Sequence, residues 1–554
     1  MPTITFSLSD LNRLVSRRLS TDELAGLLEY GKGEFEGYDK DTDQASVSFD
    51  DTNLPYLWSV EGIARLIRHV LGLSKGIEKP GLEKADYSLV VDPSVRNIRP
   101  FIAAFVARGK RVDDYLIKQI IQLQEKLCEN YGRRRRKIAI GVYSFKNISF
   151  PVHYRATDPD EVSFIPLDFS DPLTQRQILN KHPKGREYAF ILEGLRKYPI
   201  LMDDKGAVLS FPPIINSAIT GKIEEGEEDL FFEVTGIDLE AVNLACNIFA
   251  YALSERGFTL SPVEIRYHDH GALTPDLGCS TIKISEGHIQ RILGLSLREA
   301  EVKELLERAG YDFVEWTATI PPYRADIMHP CDVIEDLGIV YGYNRISNKP
   351  LSSYGRGELN PKTIFIDKLR ELVIGLGYQE LMSPVLSNKG LLYEKMLTSD
   401  QGTVEIEEFM SETYSVVRSW IMPLLLDALS KNKHVSYPQL VFEQGITAVN
   451  ERGRIRERER LCCLNASGEV NFTVARQTAE YILRSVGIRY AVEACDDPSF
   501  TPGRCCRLVA GRPLAIIGEL KPDVLEKFGL EMPVAGFEMD VDQLHNRLKE
   551  KKQS

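Results

Sequence analysis

The stretch RADIMHPCDVIEDLGIVYGY, residues 324–343, is the part of the chain that says most about the fold. Apolar residues at helical spacing follow Pro330 and predict a helix that begins just after this proline. Four acids stand close together here: Asp326, Asp332, Glu335 and Asp336. The last three stand at i, i+3 and i+4, so they share one helix face. Two interpretations remain open from the spacing alone, a divalent-cation site and the solvated face of an amphipathic helix.

The composition is that of a water-soluble globular protein. A length of 554 residues predicts about three to five domains, and the hydrophobic fraction of 43% and charged fraction of 27% are ordinary. No apolar stretch is long enough to span a bilayer, and the first residues, MPTITFSLSDLNRLV, show no secretory signal pattern. Nine cysteines without a C-x-x-C pair predict reduced, structural thiols.

The net charge of −12 argues against a protein that binds nucleic acid over its whole surface. One local exception is the run of cations from Arg133 to Lys137, which follows the helical pattern VDDYLIKQIIQLQEKLCENYG. Two interpretations are possible for such a run. The cations contact RNA, or they only complement the dipole at the C-terminus of the preceding helix. Both interpretations remain open.

The order of helical and strand patterns predicts four domains. They are residues 1–84, an N-terminal α/β domain; 85–272, with short strands and helices; 273–350, a compact third domain; and 351–554, reached through the linker NKPLSSYGRGELNP. We expect Ser20 or Thr21 to cap a helix in the first domain, and Ser296 with Glu299 to form a capping box in the third. The prolines of LSFPPIINSAITG predict that Asn216 lies on a loop.

Familiar catalytic motifs are absent from the sequence. It has no G-x-x-x-x-G-K-[ST], no G-x-G-x-x-G after a strand, no H-E-x-x-H and no G-x-S-x-G. Motifs alone would therefore not identify the chain as an enzyme.

Several long stretches nevertheless resemble one family in the same order along nearly the whole chain. They are LPYLWSVEGIARLIR, LQEKLCENYGRRRRKIAIGVY, SFPPIINS with FFEVTGID, PPYRADIMHPCDVIEDLGIVYGYNRI and IGELKPDVLEKFGL. They are similar to the phenylalanyl-tRNA synthetase beta subunit family of the archaeal and eukaryotic type. Two positions depart from the family pattern: Ser144 and Tyr56 stand where the family often has Asp.

This resemblance implies an α+β multidomain fold. Residues 85–272 would form a B3/B4 tRNA-editing domain, 273–350 a B5 domain, and 351–554 a class II aminoacyl-tRNA synthetase-like antiparallel-sheet core without catalysis. No Gly-rich stretch ending in Arg is present in this last region to serve as the third ATP-binding motif. We therefore expect Arg418 to be structural.

The resemblance also implies a function and partners. Together with an alpha subunit, in a cytoplasmic (αβ)2 heterotetramer away from any membrane, the chain would attach phenylalanine to tRNA(Phe) using ATP. The adenylate-forming site would lie on the alpha subunit. The beta subunit would bind tRNA and hydrolyse Tyr-tRNA(Phe), because a pocket that accepts Phe is poor at rejecting an analogue with an added hydroxyl.

The family's functional positions can be carried over to this sequence. The implied Mg²⁺ ligands are Asp326, Asp332, Glu335 and Asp336. The implied editing pocket consists of Ser210, Asn216, Glu233 and Thr235, with Leu201 as an apolar wall. No Ser/His or Cys/His nucleophile pair is evident, so we expect a positioned water rather than a covalent intermediate.

Two other functions remain as alternatives. One is a non-catalytic RNA-binding or scaffold paralogue with a degenerate editing site. The other is a carboxylate-metal phosphohydrolase centred on the acids between Asp326 and Asp336, which is disfavoured because no second cluster is present to clamp a substrate.

Overall fold

The structure, a computed structural model, describes residues 2–553, with side chains up to residue 550. It consists of two compact units, and the division lies between Pro350 and Leu351. Helices and sheets of mixed type build both units, so the expected mixed α/β multidomain organisation is confirmed. Within the described residues, no helix is long and apolar enough to cross a membrane.

The first part of unit 1 is a small three-stranded sheet flanked by helices. Its elements are β1 (Thr3–Ser7), α1 (Leu8–Val15), α2 (Thr21–Leu28), β2 (Gly33–Asp39), β3 (Gln44–Phe49) and α3 (Val60–Val70). The strand order is β1-β3-β2, and all pairs are antiparallel. Ser20 caps α2 by accepting a hydrogen bond from the Glu23 amide, as the sequence predicts.

The second part of unit 1 is built on a ten-stranded mixed sheet. Its strands are β4 (Tyr87–Val91), β5 (Phe101–Arg108), β6 (Ile138–Ser144), β7 (Val152–Thr157), β10 (Tyr198–Met202), β11 (Val208–Phe211), β12 (Ile215–Asn216), β13 (Leu230–Gly236), β14 (Thr259–Arg266) and β15 (Gly271–Thr274). A separate two-stranded ribbon consists of β8 (Ser163–Phe164) and β9 (Leu173–Thr174). The helices are α4 (Asp114–Lys126), α5 (Gln175–Lys181), α6 (Pro183–Tyr188) and α7 (Leu239–Glu255).

The strand order β12-β11-β10-β7-β4-β14-β5-β13-β6 places β12 and β6 at the two ends of this sheet, with β15 beside β14. Only β4 with β7 and β4 with β14 are parallel among the described pairs of this sheet. Asn216 belongs to β12 and pairs with Ser210, so the prediction that it lies on a loop is wrong. The prolines before it end β11, and the chain then turns back and pairs with β11 again.

One apolar core joins the first two parts. It contains α3 of the first part, α7 of the second and the faces of β5, β6 and β13 that α7 and α4 cover. Asp238 caps α7 through the Ala241 amide, and the helix is buried along most of its length. The opposite face of the sheet packs into a second core around Tyr143, Tyr154 and Phe231.

The third part of unit 1 is a small sheet covered by three helices. Its elements are β16 (Ser280–Lys283), α8 (Glu286–Leu293), α9 (Glu299–Arg308), β17 (Asp312–Val314), β18 (Thr317–Ile320) and α10 (Pro330–Tyr341). The predicted helix after Pro330 is present, and this proline is its first residue. The capping box predicted at Ser296 and Glu299 is wrong, because Arg298 is the N-cap of α9 and its amide donates to Glu301.

Unit 2 contains a seven-stranded sheet in the order β19-β23-β24-β28-β27-β26-β25. Its elements are α11 (Pro361–Gly375), β19 (Gln379–Glu380), β20 (Leu386–Ser387), β21 (Val404–Glu405), β22 (Val416–Val417), α12 (Met422–Lys431), β23 (Gln439–Glu451), β24 (Arg454–Ala466), α13 (Phe472–Ser485), β25 (Ala491–Ala494), β26 (Phe500–Ala510), β27 (Arg512–Leu520), α14 (Pro522–Phe528), β28 (Val534–Asp540) and α15 (Val541–Gln553). Only the β19–β23 pair of this sheet is parallel among the described strands.

Candidate functional site

The two ends of the ten-stranded sheet approach each other at β6 and β12. The side-chain amide of Asn216 donates to the Val142 carbonyl at 3.3 Å, and the Ser144 amide donates to the Thr220 carbonyl at 3.1 Å. A cavity of about 390 Å³ lies beside this junction, between α4 and residues 211–216. We call it the sheet-end cavity.

Three of the four residues predicted for an editing pocket line the sheet-end cavity. They are Ser210, Asn216 and Glu233, from β11, β12 and β13. Leu201 lies opposite Ser210 on the neighbouring strand, but its side chain is fully buried in the core and does not line the cavity.

Glu233 is a buried carboxyl group with one partnered oxygen. The Tyr143 hydroxyl lies 2.8 Å from Glu233 Oε1 and 2.8 Å from Ser210 Oγ. Because this hydroxyl has one hydrogen, it donates to the carboxylate and accepts from the serine. Glu233 Oε2 is buried and has no hydrogen-bond partner among the described residues. A polar hydrogen brought into the cavity would therefore find an acceptor there.

Burial raises the pKa of Glu233 to about 7, although the hydrogen bond from Tyr143 and the charge of Arg99 both act to lower it. Burial also raises the pKa of Tyr143 well above its ordinary value, and the neighbouring carboxylate adds to this shift. The phenol thus stays protonated and remains a donor. A carboxyl group poised near neutral pH in a cavity is typical of functional sites.

The arrangement depends on the glycine at position 141. Gly141 pairs with Glu233 across β6 and β13, and a Cβ there would overlap both the Tyr143 hydroxyl oxygen and Glu233 Oε1. The missing side chain leaves the space in which the two groups meet. Sequence reasoning missed Tyr143 and Gly141 because only the strand register brings them beside Glu233.

Thr235 does not line the cavity. It is fully buried, and the Arg99 guanidinium donates to its Oγ1 at 3.1 Å and to its carbonyl at 2.7 Å. Arg99 is itself buried, and burial lowers its pKa. Thr235 therefore serves to hold Arg99, whose importance no sequence pattern indicates.

The four acids of the second predicted site line one cavity of about 230 Å³. Each has a partner within the protein. Arg324 donates to Asp326 at 2.8 and 2.5 Å, and its Nη2 lies 2.9 Å from Asp336. Tyr311 also donates to Asp336, at 2.5 Å.

The other two acids are more exposed. Asp332 accepts the backbone amides of Met328 and His329 at 2.8 and 2.7 Å, and Glu335 lies 3.0 Å from the Lys32 ammonium. Within the part of the chain that the structure describes, no three His, Cys, Asp or Glu side chains are gathered as metal ligands. Oxygen donors suit Mg²⁺, so Asp332 and Glu335 fit this ion in chemistry, whereas the other two acids already share the buried guanidinium of Arg324.

In unit 2, Arg418 is buried in a polar cluster. Its guanidinium donates to Glu443 at 2.5 Å, to Ser383 Oγ at 2.9 Å and to the Ile446 carbonyl at 2.9 Å. A Cβ on Gly445 would overlap its Nη2. The guanidinium of Arg418 is thus engaged by hydrogen bonds to other groups of the protein.

Comparisons with known proteins give a consistent result. A family model described as "tRNA synthetase B5 domain" matches residues 282–343, and one described as "Phenylalanyl tRNA synthetase beta chain CLM domain" matches residues 347–541. The phenylalanine--tRNA ligase beta subunit of Pyrococcus furiosus is 40% identical over 559 residues, which cover 98% of this chain and 100% of the relative. That of Archaeoglobus fulgidus is 37% identical over 549 residues, 98% of both chains.

A solved structure is also similar. It is an N-terminal fragment of the phenylalanyl-tRNA synthetase beta subunit from Pyrococcus horikoshii, with 39% identity and a TM-score of 0.60. The match covers 62% of this chain and 100% of the fragment.

Proposed function

The chain belongs to the family of phenylalanine--tRNA ligase beta subunits, and we propose that it acts in a complex with an alpha subunit that attaches phenylalanine to tRNA(Phe) using ATP. It is thus a subunit of an aminoacyl-tRNA ligase, and residues 282–343 are its B5 domain. Identity of 40% over the full length of a relative is the observation that carries this assignment. No observation favours a non-catalytic scaffold.

The proposed synthetic site lies on the alpha subunit. Unit 2 has a mostly antiparallel seven-stranded sheet, which suits a class II-like core, but Arg418 is engaged by Glu443 and Ser383 inside it. A nucleotide site needs cations that are available to the triphosphate. We expect the isolated chain to give no phenylalanine-dependent exchange between ATP and pyrophosphate, and the chain co-expressed with an alpha subunit to form Phe-tRNA(Phe). Exchange by the isolated chain would contradict this division of labour.

The proposed assembly is an (αβ)2 heterotetramer in the cytoplasm. Sedimentation of the co-purified chains tests the stoichiometry, and a stable αβ heterodimer at working concentrations would contradict it.

We also propose that residues 85–272 form a B3/B4 domain whose sheet-end cavity hydrolyses Tyr-tRNA(Phe). The unpartnered Glu233 Oε2 supports this most directly, because the phenol hydroxyl of a tyrosyl group can bond to it. A phenylalanyl group would leave the same buried oxygen unpaired, so the cavity would favour the incorrect product. Ser210 and Asn216 line the same cavity and can orient the ester and a water.

Hydrolysis here would use a positioned water. Among the described residues, the cavity lining contains no His, and the only side chain hydrogen-bonded to the Ser210 hydroxyl is the Tyr143 phenol, so no base is paired with this possible nucleophile. The pKa of Glu233, about 7, lets this group accept or donate a hydrogen bond near neutral pH. Deacylation of supplied Tyr-tRNA(Phe) by the complex tests the assignment.

The acids of the B5 domain are proposed to bind Mg²⁺. Asp332 and Glu335 are the donors most available to the ion, and Glu335 would have to leave Lys32 to bind it. Mg²⁺ would supply a positive charge that attracts both carboxylates and holds them together, and we propose that this site lies beside the alpha subunit. Isothermal titration of the chelator-treated complex should show binding that Asp332→Asn weakens, whereas the exposed control Asp41→Asn leaves it unchanged. Equal binding by both variants would contradict the assignment.

A further inference from the structure

The residues from Arg133 to Lys137 form a tight turn that follows α4 in the chain and lies at the edge of the sheet-end cavity. We call it the arginine turn. The backbone of Arg133, Arg134 and Arg135 has the left-handed helical conformation, with φ of 49°, 53° and 63°. This conformation costs a residue with a side chain roughly 1 kcal/mol, and glycine or asparagine adopts it more readily. Three successive arginines in this conformation suggest a use for their side chains beyond ending a helix.

The arginine turn is tied directly to the wall of the cavity. Arg135 lines the cavity, and its Nη1 donates to the carbonyls of Pro213 and Ile214 at 3.2 and 2.9 Å. The buried Arg99 donates to the carbonyls of Arg135 and Arg136 at 3.2 and 3.1 Å, while its other nitrogens hold Thr235. The turn and the pocket segment next to Asn216 therefore form one hydrogen-bonded assembly.

Aromatic rings position the guanidinium groups of the turn. The Arg134 guanidinium lies 5.3 Å from the centre of the Phe190 ring, and that of Arg135 lies 4.2 Å from the centre of the Tyr188 ring. Stacking on a ring fixes a guanidinium while its N–H edges stay available to an anion. Arg133 and Arg134 are exposed, and neither forms an ion pair within the described residues.

We propose that the arginine turn binds the single-stranded 3′ end of the tRNA, with Arg133 and Arg134 on its phosphates and Phe190 as a positioning residue for Arg134. This inference rests on the proposed editing function. When the aminoacyl ester lies inside the cavity, the RNA strand to which it is attached lies at the cavity mouth. Arginine pairs with phosphate through two parallel hydrogen bonds. In a chain of net charge −12, attraction of RNA to this mouth needs such a local group of cations.

Binding of two RNA probes to the complete complex tests the proposal. One probe is an acceptor-stem hairpin with a single-stranded 3′ end, and the other is the same hairpin with a blunt end. The test variant is Arg133→Gln with Arg134→Gln. The matched control, Lys110→Gln with Lys118→Gln, removes the same charge from exposed positions around the start of α4.

We expect the test variant to bind the probe with the 3′ end about 10-fold more weakly than the control variant does. The slope of log affinity against log salt should become shallower by about 1.4, or roughly 0.7 for each phosphate that an arginine no longer neutralises. The blunt probe should bind both variants equally. Phe190→Leu should reduce affinity for the first probe by a smaller factor and leave the salt slope almost unchanged, since both cations remain.

Equal affinity of the two variants for the probe with the 3′ end would overturn the proposal, and so would an equal reduction on both probes, which would indicate binding to the duplex. Arg133→Lys with Arg134→Lys keeps the charge and should restore the salt slope. If the double glutamine variant does not fold, the single variants Arg133→Gln and Arg134→Gln carry the test, each with a slope shallower by about 0.7. Deacylation of Tyr-tRNA(Phe) by the unaltered complex is measured in parallel. Its absence would reject the editing function alone, whereas its presence without any effect of the arginine variants on binding would reject this inference alone.

Discussion

The Tyr143 hydroxyl lies 2.8 Å from Glu233 Oε1, and both groups are buried beside the sheet-end cavity. They come from β6 and β13, which are far apart in sequence and adjacent in the sheet. The contact supplies one hydrogen bond to a carboxyl group whose pKa is about 7 and leaves the second oxygen for a ligand.

The first prediction concerns stability and pH. The pKa of Glu233 is about 7 in the folded chain against an ordinary value of 4.5. The folded state therefore holds a proton between these pH values that the unfolded state has released, so this contribution is fully present below pH 4.5 and is lost as pH rises through 7. Relative to that of Glu233→Gln, the free energy of unfolding of the wild-type chain should fall by roughly 3 kcal/mol between pH 4.5 and pH 8. Chemical unfolding across this range measures it, and parallel curves would contradict the assigned pKa.

Tyr143→Phe should move this transition upward. The variant removes the hydrogen bond that lowers the pKa of Glu233, so the carboxyl group should release its proton above pH 7. The pH at which stability falls is again read from unfolding curves. Tyr131→Phe removes a hydroxyl outside the cavity and serves as the control. An unchanged transition in Tyr143→Phe would show that the two groups do not interact in solution.

Gly141→Ala should destabilise the chain by about 2 kcal/mol, because the new methyl group overlaps both the Tyr143 hydroxyl and the Glu233 carboxylate. Gly37→Ala is a matched control, since it also lies in a strand but has open space around its Cβ position. Thermal unfolding compares the two. Equal melting temperatures would mean that the sheet accommodates a side chain at position 141.

Arg324→Leu should destabilise unit 1 by about 3 kcal/mol, because it leaves the carboxylates of Asp326 and Asp336 without their shared buried cation. Added Mg²⁺ should recover part of this stability if the ion replaces the guanidinium charge. Arg298→Leu alters an exposed arginine of the same B5 domain and should cost less than about 1 kcal/mol. A similar small cost for both variants would contradict the role assigned to Arg324.

The sequence predicts local features of this protein better than contacts between distant segments. The helix at Pro330 and the cap at Ser20 depend on neighbouring residues, and both are present. The box predicted at Ser296 fails because the sequence offers a second acidic position, Glu301, and the helix starts at Glu299 instead. Local patterns therefore leave helix ends uncertain by a few residues.

The candidate site shows the same division. Family resemblance points to Ser210, Asn216 and Glu233, and the fold gathers them at one cavity. Thr235 shares a strand face with Glu233, but it lies two residues further along β13, where the buried Arg99 holds it, and it does not line the cavity. The importance of Tyr143 depends on the β6–β13 register, which no single-sequence pattern specifies.

The partners of the acidic cluster in the B5 domain are also only partly predictable from the sequence. The sequence shows four acids with no lysine or arginine between them, and its spacing leaves open both a bound cation and a solvated helix face. In the folded chain, Arg324 and the distant Lys32 lie beside them. Arg324 is near Asp326 in the sequence, but its contact with Asp336 and the contact of Lys32 with Glu335 form only in the folded chain, so spacing along one helix does not reveal the charge balance of the cluster.

The most direct test of the central claim is the rate at which the complete complex deacylates supplied Tyr-tRNA(Phe). The wild-type complex should hydrolyse it, and Glu233→Ala should lower kcat/KM by about 10- to 100-fold, because the tyrosyl hydroxyl loses its buried acceptor. Glu264→Ala, an exposed acid of the same sheet, should leave the rate unchanged. Equal rates for Glu233→Ala and wild type would show that the sheet-end cavity is not the editing site.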